Sequence, residues 1–167
     1  MIQVFNSIYV GSQIDFETIR QNQTKWGILH CCKDPYHKEL VRYQGNLSPT
    51  HPDYAYKING NRMALNLVDM DTYSEKYLDF NKTMFIKAFE FLDLQRQLGK
   101  NVLIHCNLGE SRAPSIALLY LSRLGVFNGG DFITAYSIFQ GMYPNFTPRK
   151  NIITTVKNLW NYFTKYN

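Results

Sequence analysis

The chain lacks a long apolar segment and a cysteine-rich framework. No stretch of about 18 consecutive apolar residues occurs, so no segment is predicted to span a membrane. The first residues contain neither a basic stretch nor a long apolar stretch, so no signal peptide is predicted. Three cysteines, an odd number, do not make a disulfide scaffold. These absences favour a cytoplasmic protein in a reducing compartment.

Motifs for nucleotide and metal chemistry are also missing. The sequence contains neither a Gly-x-x-x-x-Gly-Lys-Ser/Thr loop nor a His-Glu-x-x-His motif, which a nucleoside triphosphatase or a zinc protease would need. The formal net charge is +5, but no run of five basic residues occurs, so nucleic acid is not an expected partner. His30, Cys31, Cys32 and His37 match no standard zinc spacing. We therefore expect no metal and no other cofactor.

The composition is typical of one globular domain with alternating strands and helices. Hydrophobic residues make up 45% of 167 residues, so a single domain over residues 1–167 is expected. Short apolar stretches predict strands at residues 8–11, 26–32, 63–69 and 102–105, and residues 33–62 show no clear period. Helical patterns cover residues 15–23, 77–98, 113–124 and 131–140, and a last helix follows Pro148. The expected fold class is α/β, with a central, mostly parallel sheet of four to five strands flanked by helices.

Two helix starts are predicted from capping residues. Asp15 is expected to cap the first helix, and Thr147 with Pro148 to open the last one. In the last helix, one face is expected to be buried: Ile152, Val156, Leu159, Trp160 and Phe163.

The strongest chemical signal is a short run after the strand at residues 102–105. Cys106 follows this strand, and five residues separate it from Arg112. A loop at the start of a helix offers free N–H groups and the positive end of the helix dipole, which favour negative charge. The planar guanidinium of an arginine pairs with two phosphate oxygens at once. The run therefore predicts a nucleophilic cysteine within an anion-binding loop.

Residues 105–112, His-Cys-Asn-Leu-Gly-Glu-Ser-Arg, resemble the signature loop His-Cys-x-x-Gly-x-x-Arg of the cysteine-dependent protein tyrosine phosphatases. The chain length, the Tyr9-Val10-Gly11 start and the residues 65–69 are similar to the compact dual-specificity branch, which includes atypical bacterial and viral forms. The resemblance implies a phosphoric monoester hydrolase that acts on phosphotyrosine, and also on phosphoserine or phosphothreonine, in proteins. Catalysis would proceed through a phosphocysteine intermediate.

The resemblance also implies a role for each residue of the loop. Cys106 would attack phosphorus, and Arg112 would hold two equatorial oxygens and stabilise the charge of the transition state. His105 would orient the loop by hydrogen bonding. The backbone would bind the substrate phosphate through six residues: Asn107, Leu108, Gly109, Glu110, Ser111 and Arg112. Gly109 permits a turn that a Cβ atom would hinder.

The leaving oxygen needs a proton, so a carboxylic acid must lie above the cysteine. The family keeps an aspartate just after the strand that precedes the long helix. Asp69 fits this position, in phase with Leu65 and Leu67, and is the preferred catalytic acid. Asp71 lies two residues further on and is the alternative.

Two positions depart from the family pattern. The family usually has Ser or Thr directly after the arginine, where the hydroxyl helps to expel the thiolate, but this chain has Ala113. Hydrolysis of the phosphocysteine is therefore expected to be slow relative to its formation. Many relatives have Asn after the proline at position 148, where this chain has Arg149, which weakens one support of the loop and adds a positive charge.

The loop composition also bears on the substrate. Asn107, Leu108 and Glu110 supply no basic side chain, and Glu110 would repel extra phosphates, so a phosphoprotein is preferred to a polyphosphorylated inositol lipid. The alternatives are a phosphatase for RNA 5′-phosphates or lipid headgroups, a catalytically weak phosphate-binding pseudophosphatase, and a rhodanese-like sulfur carrier.

Flanking residues give two weaker expectations. Arg42, Arg62 and the tyrosines at 43, 54 and 56 are expected to frame the cleft. Cys31 is the preferred disulfide partner of an oxidised Cys106.

Overall fold

A six-stranded sheet forms the centre of the computed structural model, which describes residues 1–165. The last two positions of the predicted domain, Tyr166 and Asn167, lie outside the described residues. The strands are β1 (Ile2–Phe5), β2 (Ile8–Gly11), β3 (Trp26–His30), β4 (Tyr56–Asn59), β5 (Arg62–Leu65) and β6 (Asn101–His105), and their order in the sheet is β1-β2-β6-β3-β5-β4.

The four inner strands run parallel, and the two edge strands run antiparallel. β6 lies between β2 and β3, and β3 pairs on its other side with β5. β1 and β4 each pair with the strand that follows them in the chain. The predicted α/β fold is confirmed, and the sheet has six strands because each edge gains a four-residue hairpin strand. The carboxyl ends of the inner strands meet at one edge, where ligands bind in such sheets.

Six helices surround the sheet: α1 (Gln13–Ile19), α2 (Lys38–Val41), α3 (Leu78–Gln97), α4 (Arg112–Arg123), α5 (Phe132–Met142) and α6 (Lys150–Thr164). Helix α4 is buried from Ala113 to Ser122 and packs between the sheet and α6. The predicted apolar face of α6, from Ile152 to Phe163, is buried. The described part of the chain contains no helix that is long and apolar enough to cross a membrane.

The core consists of two apolar clusters, one on each face of the sheet. The larger cluster includes side chains of α3, α4, α5 and α6, together with Cys31 and Cys106. The smaller cluster lies on the other face and contains six residues: Phe16, Ile28, Cys32, Tyr36, Ala64 and Leu103. The two adjacent cysteines after β3 therefore belong to opposite faces.

Both predicted helix starts are wrong. Ser12, not Asp15, is the N-cap of α1, and Asp15 completes a capping box by accepting the Ser12 N–H at 2.7 Å. Thr147 and Pro148 do not open α6, which begins at Lys150 after Arg149 in an extended conformation. Tertiary hydrogen bonds hold this stretch outside the helix, because the Thr147 N–H donates to Glu110 O and the Arg149 N–H donates to Ser111 Oγ.

Two segment predictions also need correction. The strand expected over residues 63–69 ends at Leu65, and an irregular segment continues past Asp69. The segment 33–62, which showed no period, contains a π-helical turn at Lys33–His37, the short α2 and the edge strand β4. The period is hidden because each of these elements has only four or five residues.

Candidate active site

A cavity of about 490 Å³ opens at the carboxyl ends of the parallel strands. Cys106, directly after β6, lies in its wall with only 2% of its surface exposed. The cavity brings together most of the predicted site residues with several others: Lys33, Asp34, Leu67, Val68, Asp69, Cys106, Asn107, Leu108, Glu110, Ser111, Arg112, Thr147 and Arg149. Gly109 is the one predicted loop residue that does not line it.

The loop at residues 106–112 is held in place by its carbonyl groups. Three of them accept hydrogen bonds from outside the loop: Asn107 O from the Gln13 N–H (3.1 Å), Gly109 O from the Tyr143 hydroxyl (2.9 Å) and Glu110 O from the Thr147 N–H (2.9 Å). Burial raises the pKa of Tyr143 to about 12, so this hydroxyl keeps its proton. The N–H groups of residues 107–112 donate to no other described residue. They are therefore available to an anion.

Gly109 is required for this arrangement by its conformation and by its surroundings. Its φ of +77° lies in the left-handed region, which disfavours other residues. A Cβ atom at this position would lie 2.9 Å from the backbone C and O atoms of Gly11. The turn at Gly109 thus lets the loop pack directly on the end of β2.

Arg112 connects the loop to the segment that carries the predicted acid. Its Nη1 donates to Leu67 O at 3.3 Å, and its Nη2 donates to Asn107 Oδ1 at 3.3 Å. Its Nε lies 3.7 Å from Asp69 Oδ2 and is buried without a hydrogen bond to another described residue. The guanidinium group is therefore fixed at the cavity and retains donor capacity.

The two candidate acids lie in different environments. Asp69 lines the cavity with its side chain 16% exposed, and its Oδ1 accepts a hydrogen bond of 3.1 Å from Ser111 Oγ. Asp71 is 84% exposed and pairs with Arg149 Nη1 at 3.3 Å. Only Asp69 of these two carboxylates is within the cavity wall.

The position after Arg112 provides no hydroxyl to the cysteine. Ala113 is fully buried in the larger core cluster. Of the two flanking serines, Ser111 uses its hydroxyl on Asp69, and the buried Ser115 Oγ has no hydrogen-bond partner among the described residues. Neither serine replaces the missing side chain.

His105 lies at the end of a buried series of contacts with His30 and Arg62, two residues to which the sequence analysis gave other roles. Arg62 Nε donates to His30 Nε2 at 3.0 Å, so His30 carries its proton on Nδ1. His30 Nδ1 then donates to His105 Nε2 at 2.5 Å, which leaves the His105 proton on Nδ1, towards the Cys106 backbone. This last contact is poorly aligned and is not a well-formed hydrogen bond. His30 and His105 end the parallel strands β3 and β6 and lie opposite each other in their register. A prediction of this register would have placed the two histidines in contact.

Burial keeps both histidines neutral. It lowers the pKa of His105 to about 3 and that of His30 well below its usual value, and the neighbouring His105 lowers the His30 pKa further. Phe16 stacks on His105, and Tyr36 stacks on His30. The two rings are therefore packed against aromatic side chains as neutral groups beside the loop.

The remaining predicted residues have other partners. His37 contacts the Tyr43 hydroxyl and Asp53 O, so it is not brought to His30. Across residues 1–165, no group of three or more His, Cys, Asp or Glu side chains is placed to hold a metal ion. Burial raises the pKa of the Cys31 thiol, so this predicted disulfide partner is a slow nucleophile.

The expected frame of the cleft is also different. Only Lys33 and Asp34 of the segment 33–62 line the cavity. Arg42, Arg62 and the tyrosines at 43, 54 and 56 do not line it. Arg62 instead bonds to His30 and pairs with Glu39.

We predict that Gly109→Ala destabilises the loop more than a matched glycine change elsewhere. Both Gly109 and Gly60 have positive φ, but a Cβ atom at Gly60 meets nothing within 4 Å. Gly60→Ala is expected to cost about 1 kcal/mol through backbone strain alone. Gly109→Ala should cost more and abolish binding of inorganic phosphate, as measured by urea unfolding and calorimetry. Equal effects of the two changes would contradict the close packing on Gly11.

We further predict that stability falls in mild acid because of the histidine pair. The unfolded chain binds a proton at each histidine below about pH 6.5, whereas folded His30 and His105 stay neutral, so protonation favours unfolding. Below that pH, each histidine should lower the free energy of unfolding with a slope that approaches about 1.4 kcal/mol per pH unit. Urea unfolding between pH 7.5 and 5 measures this slope. His30→Asn should reduce it, and an unchanged slope would contradict the prediction.

Comparison with known proteins gives the relatives of this chain. No protein-family model matches it. It is 31% identical over 147 residues to the tyrosine-protein phosphatase vhp-1 of Caenorhabditis elegans, covering 88% of this chain and 19% of that protein. It is 34% identical over 86 residues to dual specificity protein phosphatase 1 of Arabidopsis thaliana, covering 50% and 37% of the two chains. The chain thus spans less than two-fifths of the length of either relative.

A solved structure shows the shared fold. The crystal structure of DUSP15 superimposes with a TM-score of 0.64 over 99% of this chain and 90% of that chain, at 17% sequence identity. These similarities and the signature loop show that the chain belongs to the dual-specificity branch of the cysteine-dependent protein tyrosine phosphatase superfamily.

Proposed function

We propose that the chain, as one catalytic domain over residues 1–167, is a metal-independent protein phosphatase for phosphotyrosine and for phosphoserine or phosphothreonine. The observation that carries this proposal is the geometry of the loop, whose carbonyls are bound from outside while its N–H groups stay available around Cys106. This arrangement suits a phosphate dianion next to a sulfur nucleophile. The proposed setting is the cytoplasm.

The proposed reaction has two steps. In the first, the Cys106 thiolate attacks phosphorus, so that an S–P bond forms while the P–O bond to the substrate breaks. Arg112 and the loop N–H groups hold the equatorial oxygens. Asp69, as the carboxylic acid, protonates the leaving oxygen. In the second step, Asp69 takes a proton from a water whose oxygen bonds to phosphorus, while the S–P bond breaks and releases inorganic phosphate and the Cys106 thiolate.

The charges of the cavity wall support a substrate with a single phosphate. Arg112, Lys33 and Arg149 provide positive charge, while Asp34 and Glu110 place carboxylates at the same wall. A headgroup with several phosphates would meet repulsion from these carboxylates. Both curated relatives described above carry names of protein phosphatases, which supports a phosphoprotein as the substrate class.

We expect phosphotyrosine peptides to be hydrolysed in the presence of EDTA. Cys106→Ser should abolish turnover, and Asp69→Asn should reduce it by about 10²–10⁴-fold because the leaving group loses its acid. Asp71→Asn is the matched control and should stay within about three-fold of wild type, because Asp71 is outside the cavity. Release of inorganic phosphate from peptides phosphorylated on tyrosine, serine or threonine measures these rates.

Other outcomes of this experiment identify the alternatives. Faster turnover of an RNA 5′-phosphate or a phosphorylated inositol lipid would change the substrate class. Binding of vanadate without turnover would indicate a pseudophosphatase, and thiosulfate:cyanide activity would indicate a sulfur carrier. A large loss in Asp71→Asn with little loss in Asp69→Asn would reverse the choice of acid.

We also predict that breakdown of the phosphocysteine limits the rate. Ala113 supplies no hydroxyl to the leaving thiolate. Rapid-quench experiments with an aryl phosphate as substrate should therefore show a burst of the released phenol before the steady state. Ala113→Ser should shrink the burst and raise the steady-state rate by about ten-fold, the effect of about 1.4 kcal/mol on a barrier. The reverse exchange on the same helix, Ser115→Ala, should leave the burst unchanged. Absence of a burst in the wild type would contradict the prediction.

A further inference from the structure

The segment that carries Asp69 has no regular structure, yet its backbone is bound on both sides of that residue. Asn151 lies in the first turn of α6 and is 5% exposed. Its Oδ1 accepts the Met70 N–H at 3.0 Å, and its Nδ2 donates to Val68 O at 3.3 Å. The Asn151 backbone N–H also reaches Met70 O, at 3.4 Å. One side-chain amide thus bridges the residues before and after Asp69.

This bridge determines where the carboxyl group of Asp69 points. When the peptide groups of both neighbours are fixed, the direction of the Cα–Cβ bond of Asp69 is fixed as well. The carboxylate then accepts from Ser111 Oγ, which itself accepts the Arg149 N–H at 2.9 Å. The first turn of α6 and the residue before it therefore hold the segment that carries Asp69 against the loop at residues 106–112.

The ion pairs nearby are less suited to this task than the amide. Arg149 and Asp71 are 51% and 84% exposed, and exposed ion pairs are weak and screened by salt. Arg149 Nε is 4.0 Å from Asp69 Oδ2, at the limit of a direct contact. Asn151 itself is buried and its two side-chain hydrogen bonds are partly buried, so loss of the amide leaves the Met70 N–H without its side-chain acceptor.

We propose that Asn151 is a positioning residue for the general acid. The proposal rests on the proposed role of Asp69. Asn151 does not line the cavity of Cys106, and it acts by holding Asp69 over the leaving oxygen. Its removal must therefore slow only those reactions in which the leaving group needs a proton.

The test compares two aryl phosphates in Asn151→Ala and Asn151→Asp. Phenyl phosphate has a leaving group about as basic as tyrosine, whereas the leaving group of 2,4-dinitrophenyl phosphate needs no proton. kcat/KM is the informative quantity, because it reports bond cleavage even if phosphocysteine breakdown limits kcat. For Asn151→Ala, kcat/KM should fall about 10–100-fold on phenyl phosphate and less than about three-fold on the dinitrophenyl ester. Asn151→Asp keeps the acceptor for the Met70 N–H and should show the same pattern with a smaller loss.

Asn158→Ala is the matched control on the same helix. Asn158 donates to the Tyr73 hydroxyl at 2.9 Å. The change therefore removes a hydrogen bond to the chain just after Asp69 without affecting the residues next to Asp69. Both rates of this control should stay within about three-fold of wild type. Equal losses on both substrates in Asn151→Ala would overturn the proposal, because they would indicate general damage to the fold.

Asp69→Asn, measured in parallel, separates the two proposals. If it shows the leaving-group dependence and Asn151→Ala does not, the positioning role of Asn151 fails while the acid role of Asp69 stands. If Asp69→Asn lacks the dependence, the acid assignment fails first. Amide hydrogen exchange gives a readout that is independent of activity: the Met70 N–H should exchange slowly in the wild type and in Asn151→Asp, which keeps its acceptor, and at least ten-fold faster in Asn151→Ala. Fast exchange in the wild type would overturn the bridge.

Discussion

The constraint on which the rest of the site depends is that outside donors bind the loop carbonyls, while the backbone N–H groups of residues 107–112 have no partner among the described residues. When the N–H groups turn inward, the carbonyls turn outward and need donors of their own. Those donors come from the start of α1, from Tyr143 at the end of α5 and from Thr147. The elements around the loop therefore serve as its hydrogen-bonding frame as well as the wall of the core.

The sequence was sufficient to predict the parts of the site that are local in the chain. The strand, Cys106, the loop and α4 are contiguous, so their order and chemistry follow from one short run. The donors Tyr143 and Thr147 lie more than 30 residues away and carry no signature of their role. The edge strands β1 and β4 were missed for a different reason, since four residues without regular alternation do not distinguish a strand from a loop.

The wrong start predicted for α6 and the hydrogen bonds of Asn151 to the backbone around Asp69 have the same physical origin. Thr147 followed by Pro148 is a common pattern for a helix start, but the Thr147 N–H is used by Glu110 O. The helix consequently begins two residues after Pro148, at Lys150, and this later start brings Asn151 to the backbone of Val68 and Met70. A local capping rule fails here because tertiary hydrogen bonds of the Thr147 and Arg149 N–H groups hold these residues outside the helix.

Ala113 differs from the departure at position 149 because nothing nearby compensates for it. Arg149 still supports the loop, since its backbone N–H donates to Ser111 Oγ. Position 113 lost a hydroxyl within a fully buried turn, where the Ser115 hydroxyl finds no partner and Ser111 is engaged by Asp69. Arg112, the loop N–H groups and Asp69 act in both proposed steps, whereas a hydroxyl beside the cysteine assists only the departure of the thiolate. We therefore expect Ala113 to lengthen the lifetime of the phosphocysteine without weakening the capture of phosphate.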